Sequence, residues 1–418
     1  MKNVDELRRY VQRRAGTVPE SEATHILDRA TRTWQQHPGR RRRPHTVLAL
    51  ALALATIASI GFVQIWAIEH HVAAPKVVPV VVPQHTFKAP EGIAVGADGS
   101  VYVSDYSGQR VYRLQKNGRL AIAAGTGDFA ESGDGSLATK ATFQAPTGMA
   151  FDHSGNLYVA DQWGDRVRRI DRSGIITTIA GSGPTTLSQS QSNPDPNGGF
   201  AGDGGPATAA RFYAPLGLAF DSHDTLYVAD SFNGRVRRIS PDGTITSLDA
   251  SSLPGRPWFP RYLAFDAAGN LYVADGAPNP VIGSLIGGCR IVRVSPVGVM
   301  TVVAGTGTCG FSGDGGSAAA AQLDNPSGLA FDSAGNLYVA DSNNQRIRRI
   351  DRGGTISTVA GTGSVGFSGD GEPGIKAQLD DPLAIGVAPG DKLYIVEGAG
   401  RRLRVLQISS GIIATAAS

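Results

Sequence analysis

One pentapeptide, LYVAD or a near variant, recurs six times in this chain and restricts its fold more than any other feature. It reads VYVSD ending at Asp105, LYVAD ending at Asp161, Asp230, Asp275 and Asp341, and LYIVE ending at Glu397. A G-[LIM]-A-[FV] segment precedes each copy, as at Gly217-Leu218-Ala219-Phe220. Tyr262 replaces the glycine in the fourth unit, and the sixth is displaced to Ala384-Ile385-Gly386-Val387. A turn such as Asp332–Asn336 separates the two segments. Downstream come a basic–apolar alternation, such as Arg346-Ile347-Arg348-Arg349-Ile350, a glycine turn and a run such as Thr355–Ala360. Each unit therefore holds four short runs rich in β-branched residues, divided by Gly, Asp and Asn turns, which is the pattern of a four-stranded antiparallel meander. A lone meander cannot bury both faces, but six in series can by stacking radially around an axis. The expected fold is all-β, a six-bladed β-propeller over residues 87–418. The 54 glycines and 24 prolines suit so many turns and exclude a mainly helical protein. Ile412–Ala416 is the expected fourth strand of the last blade, while Val77–Val82, interrupted by Pro79, reads as an added strand or an extended linker.

The units resemble the NHL repeat family in the G-[LI]-A-[VF]-D start, the LYVAD core and the N-x-R-[IV]-R-R continuation. The G-F-S-G-D-G-G linker at Gly310–Gly316 resembles NHL arrays of bacterial extracytoplasmic proteins and of teneurin-like adhesion receptors. The resemblance covers about four-fifths of the chain. It implies the propeller fold and says little about activity.

Upstream of the repeats, Thr46–Ile68 is 23 residues without a charge. At about 1.5 Å per residue it spans the roughly 30 Å hydrocarbon layer of a bilayer. Arg40–Arg43 precede it and Glu69 follows it, so the positive-inside rule puts residues 1–45 in the cytoplasm and the propeller outside, periplasmic or extracellular. A cleaved signal peptide is the competing reading, with Ala73-Ala74 as a small-residue pair. A 45-residue polar leader and so long an apolar run exceed the signal pattern. The expected domains are a basic tail (1–45), one transmembrane helix (46–68), a linker (69–86) and the propeller (87–418). Residues 1–45 form a short helical or disordered tail carrying 11 Lys+Arg against 5 Asp+Glu; the rest of the chain carries 28 against 31. The basic character belongs to the tail, which argues against nucleic acid as the propeller's partner, since that affinity needs clustered cations over phosphates.

Five units set an arginine five positions after the acid: Asp105/Arg110, Asp161/Arg166, Asp230/Arg235, Asp341/Arg346 and Glu397/Arg402. Asp275 reaches its equivalent, Arg290, across an insertion. A feature repeated in every blade reads as blade architecture, with each carboxylate capping its turn and pairing with its own arginine. Asp134, Asp203, Asp314 and Asp370 in the S-G-D-G linkers read as turn stabilisers, because a calcium site needs six to eight converging oxygens. The accompanying Phe129, Phe200, Phe311 and Phe367 read as wedges between blades. Cys289 and Cys309 flank strands three and four of blade four. In an oxidising compartment they form a disulfide whose 20-residue loop contributes roughly 3 kcal/mol.

Loops after strands two and four of a meander open on one face. That face receives Tyr106, Trp163 and Phe232 just beyond the acids, Arg256, Trp258 and Arg261 in the linker to blade four, and the excursions 184–199 and 276–288. Aromatic and arginine side chains on loops of a rigid scaffold are typical binding anchors, so these six residues form the expected ligand-binding rim. NHL-type amidating lyases are similar in fold and use a histidine-ligated metal. Here His153 and His223 alone lie within the blades, both on the opposite face, and three converging imidazoles are lacking. The expectation is a non-catalytic, single-pass, membrane-anchored binding or sensor propeller without cofactor, whose ligand is a protein, peptide or envelope polymer. The alternative is an extracytoplasmic lyase or hydrolase with a metal or carboxylate site in the central funnel.

Overall fold

The computed structural model describes residues 87–183, 199–250, 253, 259–276 and 288–418. The tail, the apolar span and the linker of residues 1–86 lie outside them. Among the described residues no helix is long and apolar enough to cross a membrane.

Six four-stranded antiparallel sheets follow one another in chain order. The first is β1 (Pro90–Val95), β2 (Val101–Asp105), β3 (Arg110–Leu114) and β4 (Leu120–Ala124). The second is β5 (Pro146–Phe151), β6 (Leu157–Asp161), β7 (Arg166–Ile170) and β8 (Ile176–Ala180). The third is β9 (Pro215–Phe220), β10 (Leu226–Asp230), β11 (Arg235–Ile239) and β12 (Ile245–Ser247). The fourth is β13 (Pro260–Phe265), β14 (Leu271–Asp275), β15 (Arg290–Val294) and β16 (Met300–Ala304). The fifth is β17 (Pro326–Phe331), β18 (Leu337–Asp341), β19 (Arg346–Ile350) and β20 (Ile356–Ala360). The sixth is β21 (Pro382–Ala388), β22 (Lys392–Glu397), β23 (Arg402–Gln407) and β24 (Ile412–Ala417). Innermost strands β1, β5, β9, β13, β17 and β21 touch in sequence, and β21 returns to β1, closing a six-bladed ring. The last blade draws its fourth strand from Ile412–Ala417, as expected. Each sheet is one uninterrupted stretch of chain, so the ring closes without exchanging strands between its ends.

The repeat motif explains how the blades fit. At the narrow centre neighbouring backbones nearly touch. A Cβ on Gly92 would lie 2.0 Å from the Thr147 carbonyl oxygen, and one on Gly148 would lie 2.1 Å from that of Leu216. Hydroxyls stitch the same seam: Ser104 Oγ donates to Thr147 O (2.6 Å) and Ser342 Oγ to Pro382 O (2.6 Å). Farther out, the tyrosine of the first four copies of the repeat pentapeptide meets, edge on, the phenylalanine ending the next innermost strand. These pairs are Tyr102–Phe151, Tyr158–Phe220, Tyr227–Phe265 and Tyr272–Phe331, with centroids 4.8–5.5 Å apart. These rings are the wedges between blades.

The linker phenylalanines are not, which corrects the sequence reading. Phe311 and Phe367 stay 41% and 47% exposed and lie under pairs of guanidinium groups. Arg346 and Arg348 stand 3.7 and 4.8 Å from the Phe311 ring centre, and Arg402 and Arg404 stand 4.0 and 5.0 Å from that of Phe367. Residues two apart on a strand share a face, so both arginines reach the same ring.

The acid–arginine pairing also needs correction. Each acid and its arginine five positions on are cross-strand neighbours, as in Asp341↔Arg346. The side-chain ion pair, however, goes two residues farther: Asp230 to Arg237 (3.3 Å), Asp341 to Arg348 (3.1 Å) and Glu397 to Arg404 (3.4 Å). Each aspartate of the set turns inward to accept linker amides, Asp324 N–H donating to Asp341 (2.7 Å) and Gln144 and Ala145 N–H to Asp161. That turn presents its other oxygen to the deeper arginine. The shallower arginine swings outward: Arg110 donates to Thr126 O, Arg166 meets Glu131, and Arg235 and Arg346 stack on Phe200 and Phe311. Asp275–Arg290 (2.8 Å) and Glu397–Arg402 (3.6 Å) do pair as expected. Asp105 also caps its turn, accepting Gly108 N–H.

The deeper arginines clamp the linkers. Arg168, Arg237, Arg348 and Arg404 are buried, and they bind Asp134, Asp203, Asp314 and Asp370 at 2.7–2.8 Å. The linker aspartates thus hold their linkers against the blade being entered. Blades one and four carry Tyr112 and Val292 at this position and lack the clamp. In blade four, Cys289 and Cys309 form the expected disulfide, with Cα atoms 5.2 Å apart.

Candidate functional site

Blade one and blade four stand opposite each other, and the central feature of the ring joins them. Tyr262 replaces the repeat glycine on β13, is buried, and its hydroxyl donates to the Glu91 backbone carbonyl on β1 (2.8 Å). This bond crosses the centre of the ring. The residue after each innermost strand's leading proline is Glu91, Thr147, Leu216, Arg261, Ser327 and Leu383 in turn. Glu91 and Arg261 are the charged members, and they face each other. They make no ion pair. Arg261 Nη1 donates instead to Asn325 Oδ1 (2.7 Å), and its Nε has no partner. Burial raises the Glu91 carboxyl to about 7, with Asp381 adding to the rise and Arg261 opposing it. Burial likewise raises Asp381. A carboxyl poised near neutrality without a fixed partner can accept a hydrogen bond, hold a cation or exchange a proton.

Aromatic side chains gather in the loops of neighbouring blades. Trp163 Nε1 donates to the Tyr106 hydroxyl, and Glu91 acts on Tyr106 electrostatically. Tyr213, Phe232 and Phe259 form a chain of rings with centroids 5.1 and 5.4 Å apart. Of the expected rim, the structure places Tyr106 with Trp163, Phe232 against Phe259, and Arg261 on β13 near Glu91. Arg256, Trp258 and most of both excursions lie outside the described residues. Asp165, in the loop after β6, is also pushed up to about 7 by burial, although it accepts Ala214 N–H (2.9 Å). On the opposite face, exposed His153 binds Asp224 of the next blade (2.7 Å).

Sequence reasoning missed Glu91, Tyr262, Asn325 and Asp381. Two signals were available: the lost glycine at Tyr262, and the alignment of the residue after each leading proline.

Comparison with known proteins follows the same lines. The family model described as the Teneurin NHL domain matches residues 109–196 and 201–366. A shorter match, to strictosidine synthase-like N-terminal sequences, covers residues 81–114. Teneurin-1 of Mus musculus is 31% identical over 290 residues, which cover 60% of this chain and 10% of that protein. Teneurin-m of Drosophila melanogaster is 25% identical over 350 residues, 77% of this chain and 12% of that protein. The chain thus spans about a tenth of the length of these curated relatives. Two solved propellers from Bacteroides thetaiotaomicron share the fold, each with a TM-score of 0.53. A protein of unknown function is 19% identical, covering 79% of this chain and 70% of its own; an auxiliary nutrient binding protein is 14% identical, covering 79% and 69%.

Proposed function

The chain belongs to the teneurin NHL-domain family, and on that footing we propose that it is a non-catalytic binding propeller, held outside the cytoplasm by a membrane span at residues 46–68. Its ligand is a protein, peptide or envelope polymer that binds over the centre of the ring, where blades one and four meet. The observation that carries this reading is the Tyr262–Glu91 bond across that centre, together with a Glu91 carboxyl without a fixed partner and the Tyr106–Trp163 and Phe232–Phe259 contacts between neighbouring blades. Anchors of this kind dominate binding energies at protein surfaces.

The direct test is capture of envelope proteins and glycans on immobilised full-length protein, compared with Trp163→Ala and Phe232→Ala. Each variant should weaken capture at least tenfold while leaving the melting temperature within a few degrees. Equal capture by all three proteins removes the rim from the site. A C-terminal reporter active only in the cytoplasm removes the topology.

One observation favours a second reading, a hydrolase or lyase acting at Glu91. The Glu91 carboxyl, near 7, suits proton transfer at neutral pH. Turnover of a lactone or ester abolished by Glu91→Gln would establish it.

A further inference from the structure

The cysteine pair of blade four has a third neighbour. Cys289 Sγ, Cys309 Sγ and a carboxylate oxygen of Asp324 all lie within 4.8 Å of one another. They come from three segments: Cys289 directly precedes β15, Cys309 lies in the linker after β16, and Asp324 lies at that linker's end, just before β17. Cys289 is completely buried, Cys309 is exposed and Asp324 is partly buried. A disulfide carries no charge and no donor proton, so the Asp324 carboxylate gains nothing from the bonded sulfurs. Two thiolates and a carboxylate around one point are instead a donor set for a divalent cation that accepts sulfur, zinc above all.

Contacts that do not involve sulfur hold the three segments together. Gly310 N–H donates to Leu323 O (3.1 Å), Asp324 N–H to the Asp341 carboxylate (2.7 Å) and Asn343 N–H to Asp324 O (3.2 Å). A Cβ on Gly305 would lie 2.3 Å from Cys289 O, so the start of the linker presses on the Cys289 backbone. With the Cα atoms 5.2 Å apart, opening the S–S bond frees both side chains to turn while these contacts stay in place. Tetrahedral zinc, with bonds of about 2.3 Å to sulfur and about 2.1 Å to oxygen, sets its sulfurs about 3.8 Å apart and each sulfur about 3.6 Å from the oxygen. Both separations fall inside the 4.8 Å that already encloses the three ligand atoms. Asn343 Nδ2 donates to Asp324 Oδ1 (3.0 Å), the kind of outer support that orients a ligating carboxylate. Asp324 Oδ2 has no donor among the described residues and is free to ligate.

We propose that reduction converts this staple into a zinc site, with Cys289, Cys309 and Asp324 as ligands and water as the fourth. A thiolate of a dithiol reductant attacks the exposed Cys309 Sγ, the S–S bond breaks and Cys289 leaves as thiolate. The reductant's second thiolate then attacks its own sulfur in the mixed disulfide and releases Cys309. The dithiol gives up two electrons and ends as a cyclic disulfide, and its two protons pass to the cysteines. Zinc takes both sulfurs as thiolates and sends those protons to solvent. The loop between Cys289 and Cys309 is thus closed in either state, by a covalent bond under oxidising conditions and by a metal under reducing ones.

Cobalt is the probe, because thiolate ligands give it a charge-transfer absorption that imidazole and carboxylate ligands do not. Histidines elsewhere in the full-length chain therefore stay silent. Full-length protein is reduced with a dithiol, freed of it by gel filtration without oxygen, and titrated with Co²⁺ beside oxidised protein. The reduced protein should bind one Co²⁺ with this absorption and lose it to Zn²⁺, and the oxidised protein should show none. Asp324→Asn should weaken Co²⁺ binding at least tenfold with an unchanged free-thiol count. Absence of the absorption from reduced wild type, whether or not its sheets persist, overturns the proposal. So does equal affinity in Asp324→Asn, which would leave a site of two thiolates alone. A second measurement is thermal: Zn²⁺ should raise the melting temperature of reduced wild type by several degrees and leave oxidised protein unchanged. Equal shifts in the two, or no shift in either, also overturn it.

Discussion

The Tyr262 hydroxyl and the Glu91 carbonyl, 2.8 Å apart, join the two blades that stand farthest from each other in the ring. Tyr262→Phe removes this bond and keeps the ring, so it should cost about 1 kcal/mol, the net value of one hydrogen bond. Tyr262→Gly restores the repeat but empties the centre, and should cost about 3–5 kcal/mol as a large-to-small core change. Urea unfolding measures both. Equal midpoints for wild type and Tyr262→Gly would show that the axis is not a packed core.

Arg348 binds Asp341 and Asp314 while fully buried, whereas Arg346 stacks outward on exposed Phe311. Truncating Arg348 to alanine strands buried carboxylate and should cost about 3–5 kcal/mol. Arg346→Ala should stay within about 1 kcal/mol, because exposed interactions of this kind contribute little. Reversal of that order in chemical denaturation would restore the shallower arginine as the structural partner.

Glu91 has its folded pKa raised to about 7 from 4.5 in the unfolded chain, by burial before all else. Between those values the folded state binds more protons than the unfolded state. The stabilising contribution is therefore complete below about 4.5 and disappears as pH rises through about 7. Unfolding midpoints should fall between pH 5 and 8, and Glu91→Gln should flatten the slope over that window. An identical slope in the variant would assign the effect to the other raised acids, Asp161, Asp165, Asp230, Asp275, Asp341, Asp381 and Glu397.

The Cys289–Cys309 bond closes a loop of 20 residues next to β16. Replacing both cysteines by alanine should cost roughly 3 kcal/mol. Calorimetry under non-reducing conditions reads the loss as a lower melting temperature. A free-thiol assay on native protein should find no reactive sulfhydryl; two would break the assignment.

Blade number, strand order and the disulfide were legible because each is written in local repetition or spacing. LYVAD fixes β2 and its counterparts, and the turn residues fix the hairpins around them. The register of side chains around the ring was less accessible. Arg348 and Arg346 sit two positions apart in a run of basic residues, and only the turn of Asp341 toward the linker amides decides which one it holds. The relation across the centre of the ring was harder still. Glu91 and Arg261 are 170 positions apart, and they meet because blades one and four are opposite, a relation that no spacing within one repeat expresses. Trp163 and Phe232 were identifiable as face residues from their place after the acids. Their partners Tyr106 and Phe259 became clear only with adjacent blades in place.

Every sheet is a continuous piece of chain, and both visible ends of the ring arrive at the junction of blades six and one. That junction is sealed by side-chain packing rather than by a shared strand. The order of blades around the axis is thus independent of where the polypeptide is opened. Joining Ser418 to the chain before Phe87 through a flexible bridge and cutting in another linker should return the same ring, now begun from a different blade.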